Sequence, residues 1–491
     1  MSTTPQQEHR GTAPHQDFRS AARAVADLAA DHLEGVADGP VWQPMAEADR
    51  RALLELPLPE HGTPLDGLLK VIERQVLSAP MGNGHPAFFG WVNSAPAPAG
   101  VLATLAAAAT NPSSAGGDHA DVHLERAVVR WIAELVGFPA AEPSAAKGTP
   151  GGILTSGTSM ATILCLAAAR QRAAERAGHD LRADGLAGLP PLVAYATAET
   201  HSCVRKAVEL LGLGSRQIRT VAEDADGRLD PAALAEAVAT DRAAGMLPFL
   251  VVASAGTVGT GAVDAFDPIA DVAEAEGLWL HVDGAYGAWG VLDPVIADRY
   301  AGMHRADSLA LDPHKWLGVP VDCGCALVRD ADTLRDTFSL VPSYLRDATA
   351  GDFGWFSEYG MEQTRPFRSL KVWATIAHKG RAGLTADIAR TTELARHLGA
   401  LVEADPELEL TAPVHTSIVA FRHTGGDAVN HDLPAAVQAR GRAFVTGALH
   451  RGREVLRACL LNPATTEADL ELLLAEVRAA ARELTERPSA S

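Results

Sequence analysis

A chain of 491 residues, 47% of them apolar, can bury large cores and is long enough for two to four domains. Its formal net charge of −19 argues against a nucleic-acid partner, which would need clustered lysine and arginine to meet phosphates. The five cysteines are too scattered for a disulfide framework, and Cys323-Gly-Cys325 lacks the second pair that a zinc site requires, so no metal is expected.

The opening MSTTPQQEHRGTAPHQ is polar and lacks the basic start and apolar centre of a signal peptide. Pro96 to Thr110, the longest apolar stretch, is too short and alanine-rich to span a bilayer. Together these features predict a cytoplasmic protein with no membrane contact. Phe18 to Val36 and Leu65 to Leu77 carry apolar residues at helical spacing, separated by Pro and Gly breaks. This first region, residues 1–97, is poor in core residues of its own and is expected to need a partner surface.

From about Val101 the helical runs Val101–Ala109, Val122–Val136 and Ser159–Arg170 alternate with short apolar runs. Those runs, Pro191–Thr197, Phe249–Ser254, Leu278–Asp283, Ser308–Leu311 and Gly324–Val328, predict strands. Strands alternating with helices define an α/β domain with a mainly parallel sheet, assigned to residues 98–373. A small α+β domain follows at 374–491, with a long helix, strands at Ser417–Arg422 and Ala443–Leu449, and a closing helix from Thr466.

Two strand ends carry the chemistry. Leu-Trp-Leu-His-Val-Asp ends in Asp283, and Ser-Leu-Ala-Leu-Asp-Pro-His-Lys-Trp brings Lys315 just past another strand. Ligands in open α/β sheets bind beyond the carboxyl ends of strands. A carboxylate and a lysine delivered there match the two needs of pyridoxal phosphate: a lysine for its aldehyde and an acid for its pyridine nitrogen. Gly151-Gly-Ile-Leu-Thr-Ser-Gly-Thr-Ser159, passing straight into a helix, offers small residues and free N–H groups to an anion. No Gly-Lys-Ser/Thr follows, so this is not a nucleotide P-loop.

From about Phe18 to Val477 the chain resembles the group II pyridoxal-phosphate decarboxylases, the family of aromatic-L-amino-acid, tyrosine and histidine decarboxylases. The segments His85-Pro-Ala-Phe-Phe-Gly-Trp, Leu124-Glu, Thr158-Ser159, His201-Ser, His281-Val-Asp-Gly-Ala-Tyr, Pro313-His-Lys-Trp, Phe367-Arg-Ser-Leu-Lys and Arg457-Ala-Cys carry the likeness. The resemblance implies fold type I, with a seven-stranded sheet in the large domain, and a homodimer whose active site lies at the interface. Residues 1–97 would wrap the partner. Lys315 would bind the cofactor covalently and His314 would help hold its phosphate, Thr158, Ser159 and Thr257 would complete the site, Asp283 would pair with the pyridine nitrogen, and Ala285 would pack on one ring face. His201 would stack on the other face, near the departing carboxylate. Phe88, Trp91, Val92 and Ser94 would line the pocket of an aromatic amino acid.

The implied proton donor is a tyrosine on a loop at roughly Ser343–Thr364, either Tyr359 or its competitor Tyr344. The implied activity is amino-acid decarboxylation to an amine. An aldehyde synthase remains the alternative, because phenylalanine on that loop accompanies such chemistry and Phe353 and Phe356 are there. A silent binding subunit is a third reading, disfavoured by the intact Asp283, His201 and Lys315; a transaminase fits the motifs less well. Three positions depart from the family's common pattern. Asp312 stands where asparagine is frequent, bringing a charge near the phosphate or turning away from it. Gly284 and Gly287 replace alanines, which would leave more room near the ring.

Overall fold

The computed structural model describes residues 14–140, 148–340 and 355–486; Tyr344 and Phe353 lie outside them. The larger sheet is built from β1 (Gly151–Thr155), β2 (Leu192–Ala196), β3 (Ile218–Thr220), β4 (Leu247–Ser254), β5 (Trp279–Asp283), β6 (Ser308–Leu311) and β7 (Gly324–Val328). Their order is β1-β7-β6-β5-β4-β2-β3. Neighbours from β3 through β6 pair in parallel, and β7 runs antiparallel to both β6 and β1.

The strands read as unbroken apolar runs because both faces are covered. Along β4, Val251 and Ala253 enter one core while Leu250 and Val252 enter the other. Val128, Val129 and Ile132 of the helix Ala120–Val136 close the first face. Ala161, Leu164, Cys165 and Ala168 of the helix Thr158–Arg176 close the second. Two strands, β1 and β3, were not foreseen. Gly151 to Thr155 has the composition of a loop, yet it pairs residue for residue with β7. At Gly152 a β-carbon would lie 2.2 Å from the Ala326 carbonyl oxygen, so glycine there serves close strand packing.

The smaller sheet, in the order β10-β11-β9-β8, is antiparallel throughout: β8 (Leu408–Leu410), β9 (Ile418–His423), β10 (Thr446–His450) and β11 (Arg453–Cys459). Arg451 (φ 49°) and Gly452 (φ 75°) form the tight turn between β10 and β11, a two-residue connection with both residues left-handed. Phe88 and Phe89 insert into this sheet's core beside Phe444, Leu456 and Leu473. The helix Arg368–Ala404 runs from the large sheet's helices to the small sheet and breaks at Gly380 (φ 63°).

At the start of the described chain, the helices Glu47–Leu54 and Leu65–Val71 bury none of their residues. Leu54, Leu56, Leu58, Leu68 and Val76 are exposed, as are Leu102 and Leu105 on the helix Pro98–Thr110. Among the described residues no helix is long and apolar enough to cross a membrane.

Candidate active site

Four segments meet beyond the carboxyl ends of β1, β2, β5 and β6, the edge where open α/β sheets bind ligands. Asp283 is the last residue of β5 and is only 6% exposed. Its Oδ1 accepts the Ala285 N–H at 3.1 Å, which turns the chain sharply after the strand. Burial raises the Asp283 pKa above the usual carboxylate value, while the charge of Lys315, the Ala285 amide and His201 pull it back down. A ring nitrogen that gains a proton beside this carboxylate would keep it ionised, so the site suits a pyridinium.

His201 begins the helix Ser202–Leu210, and its Nδ1 accepts the Cys203 N–H at 3.2 Å. Desolvation lowers the His201 pKa; Asp283 opposes that shift and Lys315 adds to it. His201 as a residue remains exposed. Ligand atoms of His201, Cys203 and Asp283 all lie within 4.8 Å of one another. Cys203, counted in the sequence only as one of five scattered cysteines, is buried here. Its Sγ sits 3.9 Å from Asp283 Oδ2, and burial, with Asp283 adding, pushes its pKa up to about 12, so it stays a thiol.

Lys315 follows β6 by four residues. Its Nζ lies 3.1 Å from Asp312 Oδ2, and its backbone carbonyl accepts the Ser94 hydroxyl at 2.5 Å. His314 Nδ1 hydrogen-bonds the Cys323 carbonyl at 2.7 Å. The Cys323 N–H also lies 3.3 Å from Nδ1, and donation by that amide would leave Nε2–H as a donor.

The helix Thr158–Arg176 begins at Gly157 without any side-chain cap of its own. Among the described residues the buried Thr158 hydroxyl has no partner, and such a group calls for an acceptor. A β-carbon on Gly324 would sit 2.4 Å from the Gly157 carbonyl carbon, so this helix start needs glycine on the neighbouring strand. A helix N-terminus, an orphan hydroxyl and a histidine are donors suited to a phosphate, although Asp312 Oδ1 already takes the Thr158 N–H. With Lys315 and Asp283 nearby, the residues present fit pyridoxal phosphate. Ser159 is exposed beside Thr158. Thr257 is buried in its own turn, bonded to Thr260 at 3.0 Å and to the Ala262 amide at 3.1 Å.

One sequence expectation is corrected here, and one open alternative is decided. Gly284 and Gly287 open no space: a β-carbon at Gly284 would lie 2.6 Å from Ala288 Cβ, and one at Gly287 2.1 Å from the Ala255 carbonyl oxygen. Asp312 does not turn away, because its Oδ1 accepts the Thr158 N–H at 2.7 Å.

The remaining candidates divide. Trp91 is 45% exposed with a left-handed backbone (φ 48°), an unfavourable conformation for a bulky residue. Phe88 is buried and stacks on Phe444 with ring centroids 4.7 Å apart. Val92 packs on the large domain's core, and Ser94 is buried against Lys315. Tyr359 is not brought to Asp283, His201 or Lys315 of its own chain. It lines a cavity of about 310 Å3 with His123, Arg126, Arg130 and Phe356. Phe356 is buried, with the guanidinium groups of Arg126 and Arg365 over its ring.

Residues 48–424 match the family described as the pyridoxal-dependent decarboxylase conserved domain. The chain is 30% identical over 482 residues to an aromatic-L-amino-acid decarboxylase of Bacillus atrophaeus, covering 96% of each. It is 29% identical over 472 residues to a phenylacetaldehyde synthase of Arabidopsis thaliana, covering 92% and 93%. The crystal structure of Oryza sativa TDC with PLP and tryptamine superposes with a TM-score of 0.88 at 28% identity, covering 98% of this chain and all of that one. The chain belongs to the pyridoxal-dependent decarboxylases, as a pyridoxal-phosphate-dependent carboxy-lyase of amino acids with the α/β fold of that family.

Proposed function

We propose that the substrate is an aromatic L-amino acid, that it is decarboxylated to its amine, and that Lys315, Asp283 and His201 carry the reaction. The reading rests on one observation: the three side chains converge from the segments after β2, β5 and β6, beside the start of the helix Thr158–Arg176. The exposed indole of Trp91 and the aromatic substrates named for relatives support the choice of substrate. When bound, pyridoxal phosphate supplies an electron sink for the pair left on the substrate carbon as CO2 departs.

The chain's residues do the rest. Lys315 would hold the cofactor through its amine. Asp283, fixed by the Ala285 amide, keeps a proton on the pyridine nitrogen. Thr158, Ser159 and His314 would hold the phosphate, Ala285 and His201 would pack against the ring, and Thr257 would support the site through its turn. Phe88 stiffens the wall that Trp91, Val92 and Ser94 form.

The working unit is a homodimer, with residues 1–97 as the segment that wraps the partner, 98–373 as the cofactor domain and 374–491 as the small domain. The exposed leucines of the first helices support this, since a stable interface would cover them. Tyr359 would give its proton across that interface, to the partner's site. The protein works in the cytoplasm. Incubation with single amino acids, scoring CO2, amine, aldehyde and peroxide, tests the proposal; aldehyde as the main product would favour the synthase reading instead.

A further inference from the structure

The carboxylate of Asp312 sits where an incoming phosphate would make its contacts. It is 2% exposed, and its backbone is fixed by N–H donation to the Ala285 carbonyl at 2.9 Å. Its own carbonyl accepts from Trp289 Nε1 at 3.2 Å, so the side chain has little freedom to swing away. Oδ1 takes the Thr158 N–H at 2.7 Å, at a helix start that has no other side-chain cap. Oδ2 lies 3.1 Å from Lys315 Nζ, and His314 Nδ1 is 3.8 Å from Oδ1. One carboxylate thus engages the helix amide and the lysine, and it borders the histidine that the phosphate site also uses.

We propose that Asp312 is a built-in stand-in for the cofactor phosphate, which holds the helix start and Lys315 in order before loading and weakens retention of the phosphate afterwards. The inference rests on the cofactor reading above and deepens it. A phosphate seated at this helix end remains within a few ångströms of a buried negative charge, where screening by water is weak. Lys315, His314 and the helix end offset part of that repulsion. Asparagine keeps a carbonyl oxygen for the Thr158 amide and removes the charge.

The test compares the wild-type apoprotein with Asp312→Asn, titrating each with pyridoxal phosphate and with pyridoxal, which lacks the phosphate. Freeing Lys315 affects both ligands alike, so the ratio of their dissociation constants isolates the phosphate. That ratio should shift towards pyridoxal phosphate by about tenfold in the variant, about 1.4 kcal/mol. Inorganic phosphate should also raise the melting temperature of the apo variant more than that of the apo wild type. An unchanged or reversed ratio, with equal phosphate shifts, would overturn the role of Asp312. A wild type that binds neither vitamer would instead overturn the cofactor reading itself.

Discussion

Replacing Arg365 with methionine should cost about 3–5 kcal/mol of stability, because it leaves a carboxylate buried without its counter-charge. Arg365 and Glu125 form a salt bridge whose two side chains are both 0% exposed. The guanidinium donates to Glu125 at 2.5 and 3.1 Å, to the Leu154 carbonyl at 2.6 Å and to the Ser114 carbonyl at 2.9 Å. Glu125 in turn accepts the Leu154 N–H at 3.0 Å. The pair therefore ties the segment ahead of the Arg368 helix to β1, whose end leads into the turn before Thr158. Equilibrium urea unfolding of apoprotein, followed by tryptophan fluorescence, measures the loss. The double variant Glu125→Met with Arg365→Met should recover most of it, since no charge then remains buried. A single-variant loss under about 1 kcal/mol, or a double variant as unstable as the two losses summed, would refute the reasoning.

Asp283→Asn should lower turnover by about 10- to 150-fold, the equivalent of a charged hydrogen bond, with far less effect on unfolding; steady-state kinetics beside a melting curve distinguishes the two. Burial pushes the His281 pKa down to about 3 from 6.5. Between those values the unfolded chain takes up a proton that the folded one refuses, so acidification destabilises. Urea midpoints should therefore show about 1.4 kcal/mol lost per pH unit below 6.5, a slope that His281→Gln flattens. Sedimentation should give a dimer burying more than about 2,000 Å2, and charge at the exposed Leu102 and Leu105 (both to Asp) should dissociate it. Tyr359→Phe should retain cofactor and shift product from amine towards aldehyde; amine at the wild-type rate would remove Tyr359 as the proton donor.

The central strands were legible because burial on both faces leaves an unbroken apolar signature, as in Phe249–Ser254 within β4. Asp283 and Lys315 stood out together, since either alone would read as a salt bridge or a surface charge, but both fall just past strand ends within specific flanking segments. β1 was hidden by Gly151 and Gly152, whose small size serves close packing on β7 and also mimics a loop. β11 was visible only as Arg457-Ala-Cys, since its first residues are exposed and polar. The roles of Cys203 and Asp312 depend on which atoms face each other across separate strands, and spacing carries none of that. The extra room inferred at Gly284 and Gly287 failed for the same reason: their missing β-carbons point at Ala288 and Ala255, in the core.

The most direct test is CO2 release from L-tryptophan, L-tyrosine and L-phenylalanine by the cofactor-loaded protein, with Lys315→Ala in parallel. The account predicts amine and CO2 in equal amounts from at least one of the three, and none from the variant. Cofactor-loaded wild type that releases no CO2 from any of them, or a Lys315→Ala protein that still does, would contradict it.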